Sequence, residues 1–377
     1  MKIRLYTPGP TPVPPDVLLE MAKPITHHRL PVFEKSFANV NKLLKTLFQT
    51  QKDVFTLTSS GTGGMEACVA NLLRREDRAL VVRGGKFGER WGELCEAYGV
   101  KFVPIDIEWG KSVDPRQIED ALKANKGIRA VFTTHSETST GALNDIRAIG
   151  EVVRRYDCLH VVDAITGIGV HDLKIDAWGI DAAVTGSQKG LMIPPGLAFV
   201  SLSDRAWEAV GKSDLPKYYF SFEKARKALS KGQNPFTPAL TLIMGLEIAL
   251  KLIEAEGLDN LFKRHARLAE ATRIGVRALG LRLLADHPSN VLTAVRVPEG
   301  VDGQALVRYL RNDLGILFAG GQDRLKGKIV RISHIGYIDD FDILVAIAGL
   351  ERGLKQVGHD VKFGTGLAAA QDYLGSN

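Results

Sequence analysis

Cys158-Leu-His-Val-Val-Asp-Ala164 is a short, almost wholly apolar run that ends on an acid. It has the length of a strand, and its lack of alternation reads as burial on both faces, the environment of a parallel sheet sandwiched between helices. Thr185-Gly-Ser-Gln-Lys-Gly190 repeats the arrangement: a strand over 182–185 gives way to a turn, and the turn carries Lys189. Side chains at such strand ends are the ones an open α/β sheet presents to a ligand. Working outward, strands at 53–58, 79–83, 100–107, 128–134 and 197–202 alternate with helices. One helix starts near Met65 and others cover 88–98, 114–124 and 146–156. This order predicts an α/β fold with a mostly parallel, doubly wound sheet.

Upstream, Thr7-Pro-Gly-Pro-Thr-Pro-Val-Pro-Pro15 is neither helix nor central strand, because proline fixes φ and removes donors. It reads as an extended arm before a short helix over 16–23. Phe33, Phe37, Val40, Leu44, Leu47 and Phe48 then recur at helical spacing over 33–50. Downstream, apolar helices over 238–255 and 258–279 precede strands at 281–284 and 292–296. A helix over 303–312, strands at 317–319 and 329–333, and a helix over 341–357 complete a smaller C-terminal α/β domain. The expected organisation is an arm (1–15), a large cofactor-binding domain (16–257) and a small domain (258–377). The Gly- and Ala-containing tail beyond Gly358 reads as loosely held.

Composition narrows the chemistry. With 45% hydrophobic and 24% charged residues the chain is ordinary for a soluble globular protein. No run approaches the ~20 apolar residues of a membrane span. Met-Lys-Ile-Arg-Leu-Tyr at the N-terminus has no apolar signal core, so a cytoplasmic location is expected. The net charge of +6 is dispersed, without a basic stripe for nucleic acid, and suits anionic ligands weakly. Cys68, Cys95 and Cys158 are far apart among apolar neighbours and read as buried thiols. The histidines show no metal-ligand spacing, so no metal is expected.

Ser59-Ser-Gly-Thr-Gly-Gly64, between strand and helix, has the makings of an anion cradle: helix N–H groups, close approach at glycine, and hydroxyl donors. Glu66 stands where a dinucleotide fingerprint needs glycine, and no Gly-Lys-Ser/Thr run exists, which leaves a monophosphate cradle or a flexible turn. Asp163 can pair with a ring nitrogen and stay ionised there, and Lys189 can form a Schiff base. Together they are what pyridoxal 5′-phosphate (PLP) requires. Arg331, in Lys328-Ile-Val-Arg-Ile-Ser-His-Ile335, either holds a substrate carboxylate or faces water from an edge strand. His27, His28 and Arg29 form a polar cluster that lines a site mouth or is simply a solvated loop.

Taken together these motifs resemble the class V, fold-type I PLP aminotransferases, in the branch of alanine–glyoxylate and serine–glyoxylate (serine–pyruvate) enzymes. The resemblance runs through Pro8 to Pro15, Ser60-Gly-Thr-Gly63, His135-Ser-Glu-Thr-Ser-Thr-Gly141 and Val162-Asp-Ala164. It continues in Gly186-Ser-Gln-Lys-Gly190 with Pro194-Pro-Gly196, Phe236-Thr-Pro238 and Val330-Arg-Ile-Ser-His-Ile-Gly336. It implies the PLP-transferase fold, with Lys189 as the Schiff-base lysine and Asp163 as the ring-nitrogen partner. It further implies Gly61, Thr62 and Gln188 as phosphate ligands, with Ser60 and Gly63 shaping the turn. Thr138 matches a hydroxyl that bonds the cofactor, and Arg331 the carboxylate-binding arginine. Thr237 matches a position that closes the phosphate site of a neighbouring subunit, which implies a homodimer with shared active sites. Two positions depart from the pattern. Phe87 stands where the branch often has a stacking tryptophan, and Asn234 where it can have a phosphate-binding tyrosine.

The expected activity is a ping-pong transamination from a small amino acid, alanine or serine, to a 2-oxo acid such as glyoxylate or pyruvate. The alternatives are an aspartate aminotransferase, with His28 or Arg29 as second cation, and a non-catalytic PLP-binding subunit. A cysteine desulfurase fits less well, since Gln188 rather than histidine precedes Lys189 and the cysteines read as structural. A phosphoserine aminotransferase would need a basic motif for its substrate phosphate that is absent here.

Overall fold

A computed structural model describes residues 2–376. Its larger sheet has seven strands in the order Val54–Thr58, Leu197–Leu202, Ala182–Gly186, Leu159–Asp163, Ile128–Thr134, Arg78–Arg83 and Lys101–Asp106. Leu197–Leu202 runs antiparallel to both its neighbours and all other pairings are parallel. The continuous apolar strands have the expected cause. Leu80, Val82, Val131 and Val162 point into one core, while Ala79, Val81, Phe132 and Val161 point into a second core on the opposite face. Helix Pro31–Leu47 covers the first core with Phe33, Phe37, Val40, Leu44 and Leu47, all buried.

A four-stranded sheet follows, ordered Arg4–Tyr6, Ile316–Gly320, Ile329–Ser333 and Leu292–Arg296. Its core, including Leu306, Leu310, Val330, Ile332 and Leu350, is separate from the other two. Gly257, at φ 80°, breaks the chain between helices Leu240–Glu256 and Leu258–Ala278.

Several expectations need correction. The arm is extended, but Arg4–Tyr6 pairs in parallel with Ile316–Gly320, and the Tyr6 hydroxyl donates to the Asp342 carbonyl at 2.8 Å. The tail is not loose: Thr365–Ser376 is a helix packed on Leu258–Ala278. The buried Glu351 carboxylate fastens it by accepting from the N–H groups of Gly364, Gly366 and Leu367. Gly275 and Gly366 let these helices touch backbone to backbone, since a Cβ on either would lie 3.0 Å or less from the other's carbonyl oxygen. The strand over 281–284 shrinks to a single bridge from Leu283 to Val295. Helices Asp204–Val210 and Phe222–Leu229 fill a stretch left unassigned by periodicity, each started by a serine cap, Ser203 and Ser221. Among the described residues no helix is long and apolar enough to cross a membrane.

Candidate active site

Asp163 is the last residue of the central strand Leu159–Asp163, opposite Thr134 on one side and Val184 on the other. Its Oδ1 accepts from the Ile165 N–H at 2.9 Å. Burial pushes the carboxyl up to about 7, with only partial relief from that N–H, and Glu137 adds to the rise while Arg90 and Lys189 oppose it. An ionised Asp163, as expected from sequence, therefore depends on a cation facing it.

Lys189 follows strand Ala182–Gly186 in a turn held by the Ser187 hydroxyl, which donates to the Pro194 carbonyl at 2.8 Å. Its Nζ donates to the Pro8 carbonyl at 2.7 Å, and its own carbonyl accepts from the Thr11 hydroxyl at 3.0 Å. The Pro-rich arm thus forms a wall of the lysine's pocket, a contact that sequence reasoning missed. Gly9 is what makes room: it sits at φ 135°, and a Cβ there would fall 2.6 Å from Lys189 Cδ and Cε. Burial lowers the amine to about 8, against the pull of Asp163, and Arg331 and Arg90 lower it further.

The Gly-rich segment is not a turn ahead of a helix but the helix's own first turn. Helix Gly61–Leu72 starts at Gly61, with Ser60 as an extended N-cap whose side chain makes no capping bond. Gly61, Thr62 and Gly63 therefore lie where helix N–H groups favour an anion. Gln188 leans over the same spot. A Cβ on Gly186 would fall 3.2 Å from Gln188 Oε1 and 3.4 Å from Gly61 N, so bare backbone keeps this corner open. Gln188 Oε1 is buried without a partner. An uncapped helix N-terminus with the Gln188 amide over it, whose Nε2 group can donate to an anion, and with an amine and an acid nearby, fits a phosphorylated pyridine aldehyde. Ser60, Gly61, Thr62, Gly63 and Gln188 would hold its phosphate, Asp163 its ring nitrogen and Lys189 its aldehyde carbon.

Helix Lys86–Ala97 brings in Phe87, whose N–H donates to Glu137 Oε2 at 3.1 Å and whose ring lies 4.8 Å from the Arg90 guanidinium. Glu137 is buried and also accepts from the N–H groups of Gly88 and Ser139. Neither Glu137 nor Arg90 was singled out from sequence, although Glu137 is an acid inside a quoted motif and Arg90 lies one turn after Phe87.

Arg331 sits on Ile329–Ser333, an interior strand, opposite the small side chains Ala294 and Ala319. It is buried, so the edge-strand alternative falls. Its guanidinium donates to the Gly320 carbonyl at 2.7 and 2.9 Å and to the Thr138 carbonyl at 2.7 Å. Among the described residues no carboxylate lies within ion-pair distance of it, and burial lowers its pKa to about 10. The Thr138 bond joins the small sheet's arginine to the large sheet's site.

Asn234 and Thr237 do not meet the cradle of their own chain. Asn234 Nδ2 donates weakly to the Thr56 carbonyl at 3.5 Å, and Thr237 is exposed. His27 and His28 stack on each other at 4.4 Å, and the Arg29 N–H donates to His27 Nδ1; among the described residues no hydrogen bond or ion pair joins them to the site residues. The three cysteines are buried and unpaired, and burial pushes Cys95 and Cys158 up to about 12, so none is a ready nucleophile. Among the described residues no group of three or more metal-ligating side chains converges.

The family model for class V aminotransferases matches residues 3–340. The small subunit of a soluble hydrogenase from Synechococcus sp. is 45% identical over 99% of this chain and 98% of its own length. The L-aspartate–glyoxylate aminotransferase of Paracoccus denitrificans is 38% identical over 98% of this chain and 95% of its own. Among solved structures, the ureidoglycine–glyoxylate aminotransferase of Bacillus subtilis superposes with a TM-score of 0.95 at 33% identity, covering 100% of this chain and 99% of that one.

Proposed function

The chain belongs to the class V aminotransferases, a PLP-dependent family, and we propose that it transfers the amino group of a small neutral amino acid, alanine or serine, to glyoxylate or pyruvate. One observation carries this reading. Arg331 is a buried cation whose hydrogen bonds, among the described residues, go to the carbonyl oxygens of Gly320 and Thr138 and the side-chain oxygen of Gln322, and it is tied through Thr138 to the pocket of Lys189 and Asp163. A guanidinium so placed can take one carboxylate bidentately.

When bound, PLP supplies an electron sink for the bond broken at the amino acid's Cα. The chain's own residues would do the rest. Arg331 holds the α-carboxylate and so fixes which Cα bond faces the lysine. Lys189, whose amine is already poised near neutrality by burial, takes the proton from Cα and returns it on the cofactor side. Asp163 would keep the ring nitrogen protonated, and that charge pair returns its carboxyl to the ionised form. Phe87 packs against the ring face, and Ser60, Gly61, Thr62, Gly63 and Gln188 anchor the phosphate. Thr138 keeps its hydroxyl for the cofactor while its carbonyl steadies Arg331.

We further propose a homodimer in which Thr237 of the partner subunit, with Asn234 of the partner subunit, closes the phosphate site. Exposure of Thr237 and of Leu18, Leu19, Ile25 and Tyr218 supports it. A monomer by sedimentation at micromolar concentration would refute it. The division at 257/258 and a cytoplasmic location complete the reading.

The P. denitrificans relative's name favours a second reading, aspartate as donor. Small donors are preferred because, among the described residues, no hydrogen bond or ion pair joins His28 or Arg29, the candidate second cations, to the site residues of the same chain. Steady-state rates with alanine, serine and aspartate, each paired with glyoxylate and with pyruvate, decide between them. A higher kcat/KM for aspartate than for both others would replace the first reading with the second.

A further inference from the structure

We propose that Arg90 is the charged ligand of the cofactor's phosphate, an assignment that rests on the cradle at 60–63 described above. Arg90 lies on helix Lys86–Ala97, half-buried, and its Nη1 donates to Thr62 Oγ1 at 3.0 Å. The hydroxyl of Thr62 is part of the first turn of the cradle helix. The other groups of the cradle on this chain, Gly61, Gly63, Ser60 and Gln188, are all neutral, whereas a phosphate monoester carries close to two negative charges at neutral pH.

Arg90 is also a cation without an anion. Among the described residues no carboxylate lies within ion-pair distance of it, although acids surround it in sequence. Glu89 is engaged by Lys86 and Arg324, and Glu93 by Lys86. Glu137, a buried acid, spends its oxygens on the N–H groups of Phe87, Gly88 and Ser139, and Asp163, whose carboxyl feels the Arg90 charge, is not within ion-pair distance of it. The guanidinium is left with a neutral hydroxyl and the face of the Phe87 ring, 4.8 Å away. A half-buried guanidinium held only by a hydroxyl and a π face gains most from an anion placed against that hydroxyl. Its planar fork can keep Thr62 on one N–H and present others to phosphate oxygens.

The bland alternative is that Arg90 only props the Phe87 ring. The two roles separate by comparing PLP with pyridoxal, which has the same ring and aldehyde but no phosphate. Full-length protein stripped of cofactor is titrated with each ligand, for wild type, Arg90→Met, Arg90→Lys and Thr62→Ala, with circular dichroism confirming the fold. Arg90→Met should weaken PLP by about 10- to 100-fold, the size of a lost charged hydrogen bond, and leave pyridoxal nearly unchanged. Arg90→Lys should recover part of the loss. Added inorganic phosphate should compete with PLP less well in Arg90→Met than in wild type. Equal losses for PLP and pyridoxal, or no loss, would overturn the assignment. Thr62→Ala separates this from failure of the cradle itself. A PLP-selective loss in Thr62→Ala but not in Arg90→Met refutes Arg90 alone, and unselective behaviour in both refutes the cradle.

Discussion

Replacing Asp163 by asparagine should stabilise the cofactor-free protein while disabling the enzyme. The carboxyl is 3% exposed and burial raises it from 3.8 to about 7, so the folded state binds this proton more tightly than the unfolded chain. For a carboxyl with a raised pKa, the stabilising preference for the neutral acid is complete below the unfolded value. It is lost as pH climbs through the folded one. By pH 8 wild type holds a buried anion at a penalty of about 4 kcal/mol relative to the neutral acid. Asparagine is nearly isosteric, keeps an acceptor for the Ile165 N–H and carries no charge. Thermal melts of cofactor-free protein should therefore show little difference between the two at pH 4. The variant's advantage should grow steadily to pH 8 and reach several degrees in Tm. Saturating PLP should reverse the order, because only the carboxylate gains from a protonated ring nitrogen. A variant no more stable at pH 8, or an advantage independent of pH, would refute the claim that Asp163 is a desolvated charge awaiting a cation.

Other consequences are as direct. Arg331→Lys loses the fork and should lower kcat/KM for amino and oxo acids about 10- to 100-fold through KM, with PLP affinity unchanged. An equal loss of PLP affinity would contradict the separation of the two sites. Because the neutral amine is the nucleophile and burial lowers Lys189 to about 8, the rate of PLP attachment should rise about tenfold per pH unit and level off above that value. A plateau deferred to the range of an exposed lysine would show the amine to be unperturbed. Gly9→Ala forces a Cβ onto the lysine side chain at φ 135°, a strain of about 1–3 kcal/mol, and should slow PLP attachment while leaving the far-ultraviolet spectrum intact. Attachment at the wild-type rate would mean the arm does not shape the pocket.

Much of this site could be read from sequence because its chemistry is local. Asp163 ends a strand and Lys189 lies in the turn just after another, and the apolar runs of both advertise burial on two faces at the sheet end where a ligand meets it. The same logic fails for contacts across the fold. Pro8 and Gly9 look like a linker until the arm's first strand, Arg4–Tyr6, pins one end to the small sheet and brings the rest back over Lys189. Arg331 was ambiguous because a single strand's sequence does not say whether it is interior or edge; its two flanking strands decide that. Glycines misled twice. Gly61–Gly64 reads as a turn but begins a helix, since nothing forbids helical φ at glycine. The C-terminal helix was masked by Gly and Ala content, and its order comes from Glu351, far away in sequence.

The most direct test of the whole account is the half-reaction. PLP-loaded protein is mixed with alanine, serine or aspartate without any oxo acid, and the visible absorption of the lysine-bound cofactor is followed by stopped flow. Transfer from a small neutral donor requires that band to vanish fastest with alanine or serine and to return on adding glyoxylate or pyruvate, with Lys189→Ala never showing it. A band that no amino acid discharges, in protein that binds PLP normally, would contradict amino transfer and leave only a cofactor-binding role.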